Sequence, residues 1–149
     1  AVGPTSAKRS RAIVSATRAS RSPVRSELAQ SESQTCSADT TSPAAMSETL
    51  RALLLGDVLS PEARGKLAEW MRHGGVTGAL LRAEAEDAWL ILDKSGSGSH
   101  TRNLVAVIQP EGGAPWIATM FISDTDAEFE VRNEALKDLG RAVVAVVRE

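Results

Sequence analysis

The chain has 149 residues, enough for one domain of ordinary size around a single core, and its 17 basic against 19 acidic residues leave a formal net charge of −2. A balance so near neutrality gives no reason to expect nucleic acid or an anionic membrane as partner, and no apolar run approaches the length of a membrane span. Cys36 is the only cysteine, which excludes an intrachain disulfide and a cysteine-rich metal site.

The bulk figure hides an asymmetry. From Ala1 to Ala38, Lys8, Arg9, Arg11, Arg18, Arg21 and Arg25 outweigh Glu27 and Glu32, a net +4 that leaves −6 for the remainder. This part is rich in Ser, Ala, Arg and Thr and poor in large apolar side chains, so residues 1–38 are predicted to be irregular or disordered, unable to offset their ordering entropy. A basic arm for an acidic partner is the alternative, weakened by the lack of aromatics. The chain starts without Met and shows no signal-peptide hydrophobic centre at Ala1, so it is expected to be a processed form or a fragment.

The texture changes at Asp39. Ser42-Pro43 forms a helix entry, and Met46, Leu50, Leu53 and Leu54 recur at helical spacing until Gly56. Ser60-Pro61-Glu62 opens a second helix with Leu67, Trp70 and Met71 on its apolar face, closed by Gly74-Gly75. Val76 to Arg82 reads as a further short turn of helix. Three apolar runs of strand length follow, Ala88 to Asp93, Asn103 to Gln109 and Trp116 to Ser123, joined by the Gly/Ser stretch Ser95 to Thr101 and by Pro110 to Pro115. Connections so short make antiparallel hairpins, and the near-continuous apolar runs call for cover on both sheet faces. Asp124-Thr125-Asp126 caps a final helix with Phe129, Leu136, Leu139, Val143 and Val147 on one face. The fold class is therefore α+β: an antiparallel sheet of three strands packed against helices.

The stretch Asp93-Lys94-Ser95-Gly96-Ser97-Gly98 stands out. Lysine is a poor choice to end a buried strand unless something anionic meets it, although by itself the stretch also reads as a plain strand-turn-strand with Lys94 at a solvated end. His100 is read as a loop residue, and Trp89 and Trp116 as packing residues. The six-residue stretch resembles the lysine-hydroxyl-glycine motif of class A serine β-lactamases. Asp39 to Met46 (DTTSPAAM) resembles the end of that family's Ω loop and the helix after it. Leu53 to Gly56, Trp70-Met71, Val76-Thr77-Gly78, Leu80-Leu81-Arg82 and Arg132-Asn133 fall in the family's order and approximate spacing, so the resemblance covers Asp39 to Glu149.

The resemblance implies a role for each residue. A β-lactam carries a carboxylate and a reactive amide carbonyl, and a site for it needs a cation and hydroxyls for the first and fixed N–H donors for the second. Lys94 would set the positive field and Ser95 would bond the substrate carboxylate. Ser97 would supply an oxyanion-hole N–H, Gly96 would leave room at the strand edge, and Arg102 would be a second cation for the carboxylate. The Lys94 to Arg102 connection is one residue shorter than in many relatives. Asp39 would be structural, making a loop ion pair or hydrogen bonds. The resemblance further implies β-lactam hydrolysis through a serine acyl-enzyme by a periplasmic or secreted monomer, with no metal, cofactor, nucleic acid or membrane involved.

Three family motifs have no counterpart here. The Ser-x-x-Lys spacing does not occur: Lys8, Lys66, Lys94 and Lys137 follow Thr5, Ala63, Ile91 and Glu134 at that distance. There is no Ser-Asp-Asn, and Glu27-Leu28 is preceded by Arg25-Ser26 where the family's Ω-loop signature has Glu-Pro. The chain alone is therefore expected to be inactive. Residues 1–38 also permit an out-of-frame reading, because under one choice of codons Ile13 to Ser20 read one nucleotide earlier gives Ser-Ile-Gly-Asp-Thr-Ser-Phe, similar to the family's segment before its Ω loop. A related penicillin-recognising peptidase, and a non-catalytic truncated relative or binding module with a basic arm, remain as alternatives.

Overall fold

The computed structural model describes residues 11–19 and 41–149. Its centre is an antiparallel sheet of strands β1 (Arg11–Arg18), β2 (Leu90–Gly98), β3 (Thr101–Gln109) and β4 (Trp116–Ser123), in the order β1-β4-β3-β2. Helices α1 (Pro43–Leu50) and α2 (Pro61–Arg72) lie on one face, and α3 (Phe129–Val147) lies on the other. The α+β class and the antiparallel meander agree with the sequence expectation. The strand count does not.

Strand β1 falls where irregular chain was expected, and it makes the sheet four-stranded. It pairs with β4 from Arg11 opposite Ser123 to Arg18 opposite Trp116. A composition averaged over 38 residues conceals one run with Ile13, Val14 and Thr17, whose branched side chains suit a pleated strand. Its attachment is mainly the backbone ladder, since Ile13 and Val14 remain 52% and 40% exposed. Part of the proposed basic arm is thus a sheet strand.

The hairpin β2–β3 carries a second correction. The Ser95 to Thr101 stretch is not a loop: β2 runs on through Gly98, β3 begins at Thr101, and only Ser99-His100 turn. Glycine and serine have weak strand propensity, but pairing with the branched β3 overrides it.

Both predicted helix entries hold, with Ser42 Oγ accepting from the Ala45 N–H and Ser60 Oγ from the Ala63 N–H, each at 3.2 Å. The first helix widens into a π turn over Arg51–Leu55, and Val76 to Arg82 resolves into 3-10 turns at Gly75–Thr77 and Leu81–Glu84. Trp70 is 67% exposed although Met71 is buried, because adjacent helical residues point about 100° apart. Helix α3 starts at Phe129, later than Asp124-Thr125-Asp126 suggested, while Thr125 Oγ1 accepts from the Ala127 N–H at 3.1 Å.

Two buried groups lock α1 and α2 to the sheet. Ser47 Oγ and Thr119 Oγ1 lie 2.9 Å apart, and both donate to the Pro43 carbonyl, at 2.9 and 2.8 Å. The Arg82 guanidinium bonds Asp93 Oδ1 through Nε at 2.9 Å and Nη2 at 2.7 Å, and Nη2 also reaches the Met71 and Ile91 carbonyls. Gly74, at φ +67°, makes room for it: a Cβ there would stand 2.8 Å from Arg82 Nε. On the other side Gly140 lets α3 approach the turn at Leu81, where a Cβ would meet the Leu81 Cα at 3.1 Å. Leu104, Ala106, Ile108, Met120, Leu136 and Val144 fill that interface at 0 to 1% exposure.

Candidate active site

Strand β2 lies at an edge of the sheet, and its register with β3 distributes the motif between two faces. Lys94 is opposite Val105 and Gly96 opposite Asn103, on the face that carries α1; Ser95 is opposite Leu104 and Ser97 opposite Arg102, on the face toward α3. Alternation along a strand forces this separation. Asp93 is buried and anchored by Arg82, so the strand is fixed one residue before Lys94.

Lys94 is exposed and makes no ion pair among the described residues. It lines a cleft of about 630 Å³ between the N-terminal end of α1 and the sheet, with Met46, Val105 and Phe121 as apolar walls and Ser42, Ser95 and Asn103 as polar ones. It is the one charged side chain among the described residues that line this cleft. Such a space is of the size that small-molecule sites have. A Cβ added at Gly96 would meet nothing within 4 Å, so packing does not demand glycine there; the space beside it is open.

Arg102 is 4% exposed. Its Nε donates to Asn133 Oδ1 at 2.7 Å, its Nη1 to the Gly96 carbonyl at 3.1 Å, and its guanidinium lies 5.3 Å from the centre of the Phe129 ring. Burial, and then the nearby Arg132, hold its pKa below the ordinary arginine value, yet a guanidinium stays charged at neutral pH. The bond to Gly96 links this cation to the strand that carries Lys94. The shorter hairpin therefore still seats Arg102 directly across from Ser97.

Asp39 lies outside the described residues. Sequence reasoning missed Phe129 and Asn133 as site residues; it placed Phe129 on the apolar face of α3. Their positions, four apart on one helical turn beside Arg132, carry the signal, since i and i+4 share a face. Among the described residues no cluster of three His, Cys, Asp or Glu could hold a metal ion, and no helix is long and apolar enough to cross a membrane.

The site is thus an α+β sheet with a lysine-hydroxyl-glycine edge strand, an arginine across from it on β3 and helix α3 behind. Comparison with known proteins gives it a family. Residues 7–147 match the family described as the beta-lactamase enzyme family, and the chain belongs to it. Its relatives there are class A enzymes. Beta-lactamase AER-1 of Aeromonas hydrophila is 43% identical over 103 residues, 68% of this chain and 34% of that protein. Beta-lactamase L2 of Stenotrophomonas maltophilia is 41% identical over 105 residues, 69% of this chain and 35% of that protein. Among solved structures, a β-lactamase from Xanthomonas campestris superposes with a TM-score of 0.67 at 41% identity, over 72% of this chain and 41% of the other. An ancestral class A β-lactamase gives 0.67 at 40%, over 71% and 41%. The chain thus spans about a third of the length of the curated relatives it matches.

Proposed function

We propose that residues 39–149 form the C-terminal wall of a class A serine β-lactamase active site, and that the complete enzyme hydrolyses β-lactam antibiotics through a serine acyl-enzyme. The observation that carries this reading is Lys94, a cation with no ion-pair partner among the described residues, at the sheet edge facing a cleft, next to Ser95, Gly96 and Ser97 and linked through Gly96 to Arg102. At the edge strand β2, Lys94 meets the substrate carboxylate from the α1 side, while Arg102 and the Ser95 hydroxyl meet it from the α3 side. The Ser97 N–H serves as one donor for the carbonyl oxygen as it gains charge. The nucleophile and the base are not in this sequence, so the chain alone binds without turnover. The complete enzyme acts as a periplasmic or secreted monomer.

The test is a titration of the purified chain with benzylpenicillin, followed by amide chemical shifts. Lys94 to Ser97 and Arg102 move together, and Lys94→Gln abolishes the response. No perturbation of those residues would sink the assignment. A chromogenic cephalosporin stays intact with the chain; hydrolysis lost on Lys94→Gln would show that a nucleophile had been overlooked.

A further inference from the structure

We propose that Arg132 is a positioning residue for the candidate site: it latches the β2–β3 hairpin to the first turn of α3 and so fixes where the Ser97 backbone and the Arg102 guanidinium stand. The role rests on the reading of that hairpin as the substrate-facing wall.

Arg132 is 8% exposed. Its Nη1 donates to the Gly98 carbonyl at 2.7 Å and to the Thr101 carbonyl at 2.9 Å. Those residues are the last of β2 and the first of β3, paired across the turn Ser99-His100. One nitrogen of a charged donor therefore holds both ends of the turn at the point where the backbone ladder stops, and bonds from a charged donor are about twice as strong as neutral ones. The glycines at 96 and 98 have no side chain to pack, so the hairpin tip has little of its own to hold it.

The rest of Arg132 is poorly served. Its Nε is buried without an acceptor, and it has no carboxylate partner among the described residues. Burying a guanidinium without a counter-ion is costly. Packing of α3 on the sheet does not require one there, because Leu136, Val143 and Val144 supply that contact. The arginine is used where its donors go, which is into the hairpin. A second tie runs on the outer side: the Thr125 N–H donates to the His100 carbonyl at 3.4 Å, and His100 Nδ1 lies 3.1 Å from Asp126 Oδ1. That tie holds only the turn. Arg132 grips Gly98 and Thr101, the residues between Ser97 and Arg102 on the turn side, while Asn133, the next residue on α3, grips Arg102 itself. The first turn of α3 thus sets the geometry of both.

The experiment is amide hydrogen exchange by NMR on the purified chain, wild type against Arg132→Gln and Arg132→Lys. It uses no ligand, so the latch can fail while penicillin binding stands, and the reverse. In Arg132→Gln, exchange across Ser97 to Arg102 rises about tenfold or more while Leu136 to Val144 change less than about twofold, as expected for local opening. Arg132→Lys, which keeps a charged donor, recovers part of the protection. Unchanged hairpin exchange in Arg132→Gln, or an equal rise in hairpin and α3, would overturn the proposal. Should Arg132→Gln not fold, the wild-type Arg132 guanidinium decides: hindered rotation supports the latch, and free rotation refutes it.

Discussion

The two faces of the sheet are finished to different degrees. Toward α3, Leu104, Ala106, Ile108, Ala118, Met120 and Leu136 are all at 0% exposure, and one helix closes the layer. Toward α1 and α2, closure is good around Leu50, Leu54, Met71, Val107 and Ile117 but stops short at Val105 and Phe121, which line the cleft beside Lys94. The closed face gives the chain its stability and holds Arg102 and Asp93. The open face presents Lys94. The relatives are about three times as long as the region they share with this chain, and the incomplete face is the one on which Lys94 stands.

The sharpest way to break this contrast is to remove equal volumes from each side. Leu136→Ala should cost about 3 kcal/mol in urea unfolding, since a fully buried leucine loses both transfer energy and a filled cavity. Met46→Ala, at the cleft, should cost less than about 1 kcal/mol because solvent already reaches it. Equal losses would mean that the two faces are alike.

A smaller effect probes how the strand under the site is anchored. Gly74→Ala should destabilise by about 1–3 kcal/mol, from a left-handed backbone and a clash with the Arg82 side chain that holds Asp93. The thermal midpoint would fall, and the Asp93 and Lys94 amides would exchange faster. A neutral result would show that Arg82 can yield without loosening β2. The smallest change belongs to the site itself: Lys94→Met should alter stability by less than about 0.5 kcal/mol, as for other exposed substitutions, while removing the response to benzylpenicillin. A large stability loss would assign Lys94 to the fold.

Much of this was legible in the chain. Serine caps followed by proline set the starts of α1 and α2 through local hydrogen bonds, and the apolar runs with short connections required an antiparallel meander. The lysine-hydroxyl-glycine stretch pointed to the site. Strand β1 was not legible, because a strand bound by its backbone to an edge needs little apolar pattern, and a basic composition masked what there was. The full extent of β2 was equally hidden, since its glycines and serines acquire strand geometry from β3.

Local patterning by itself determined the elements, the family resemblance and the residue types available to meet a carboxylate, because caps, periodicity and turn length act within a few residues. Tertiary structure alone decided which face each motif residue occupies, that Arg102 crosses from Ser97 and is held by Asn133 and Phe129, and that Arg132 bridges Gly98 and Thr101 from more than thirty residues away. Those contacts depend on strand register and on where α3 returns to the sheet, and no short stretch of sequence encodes either.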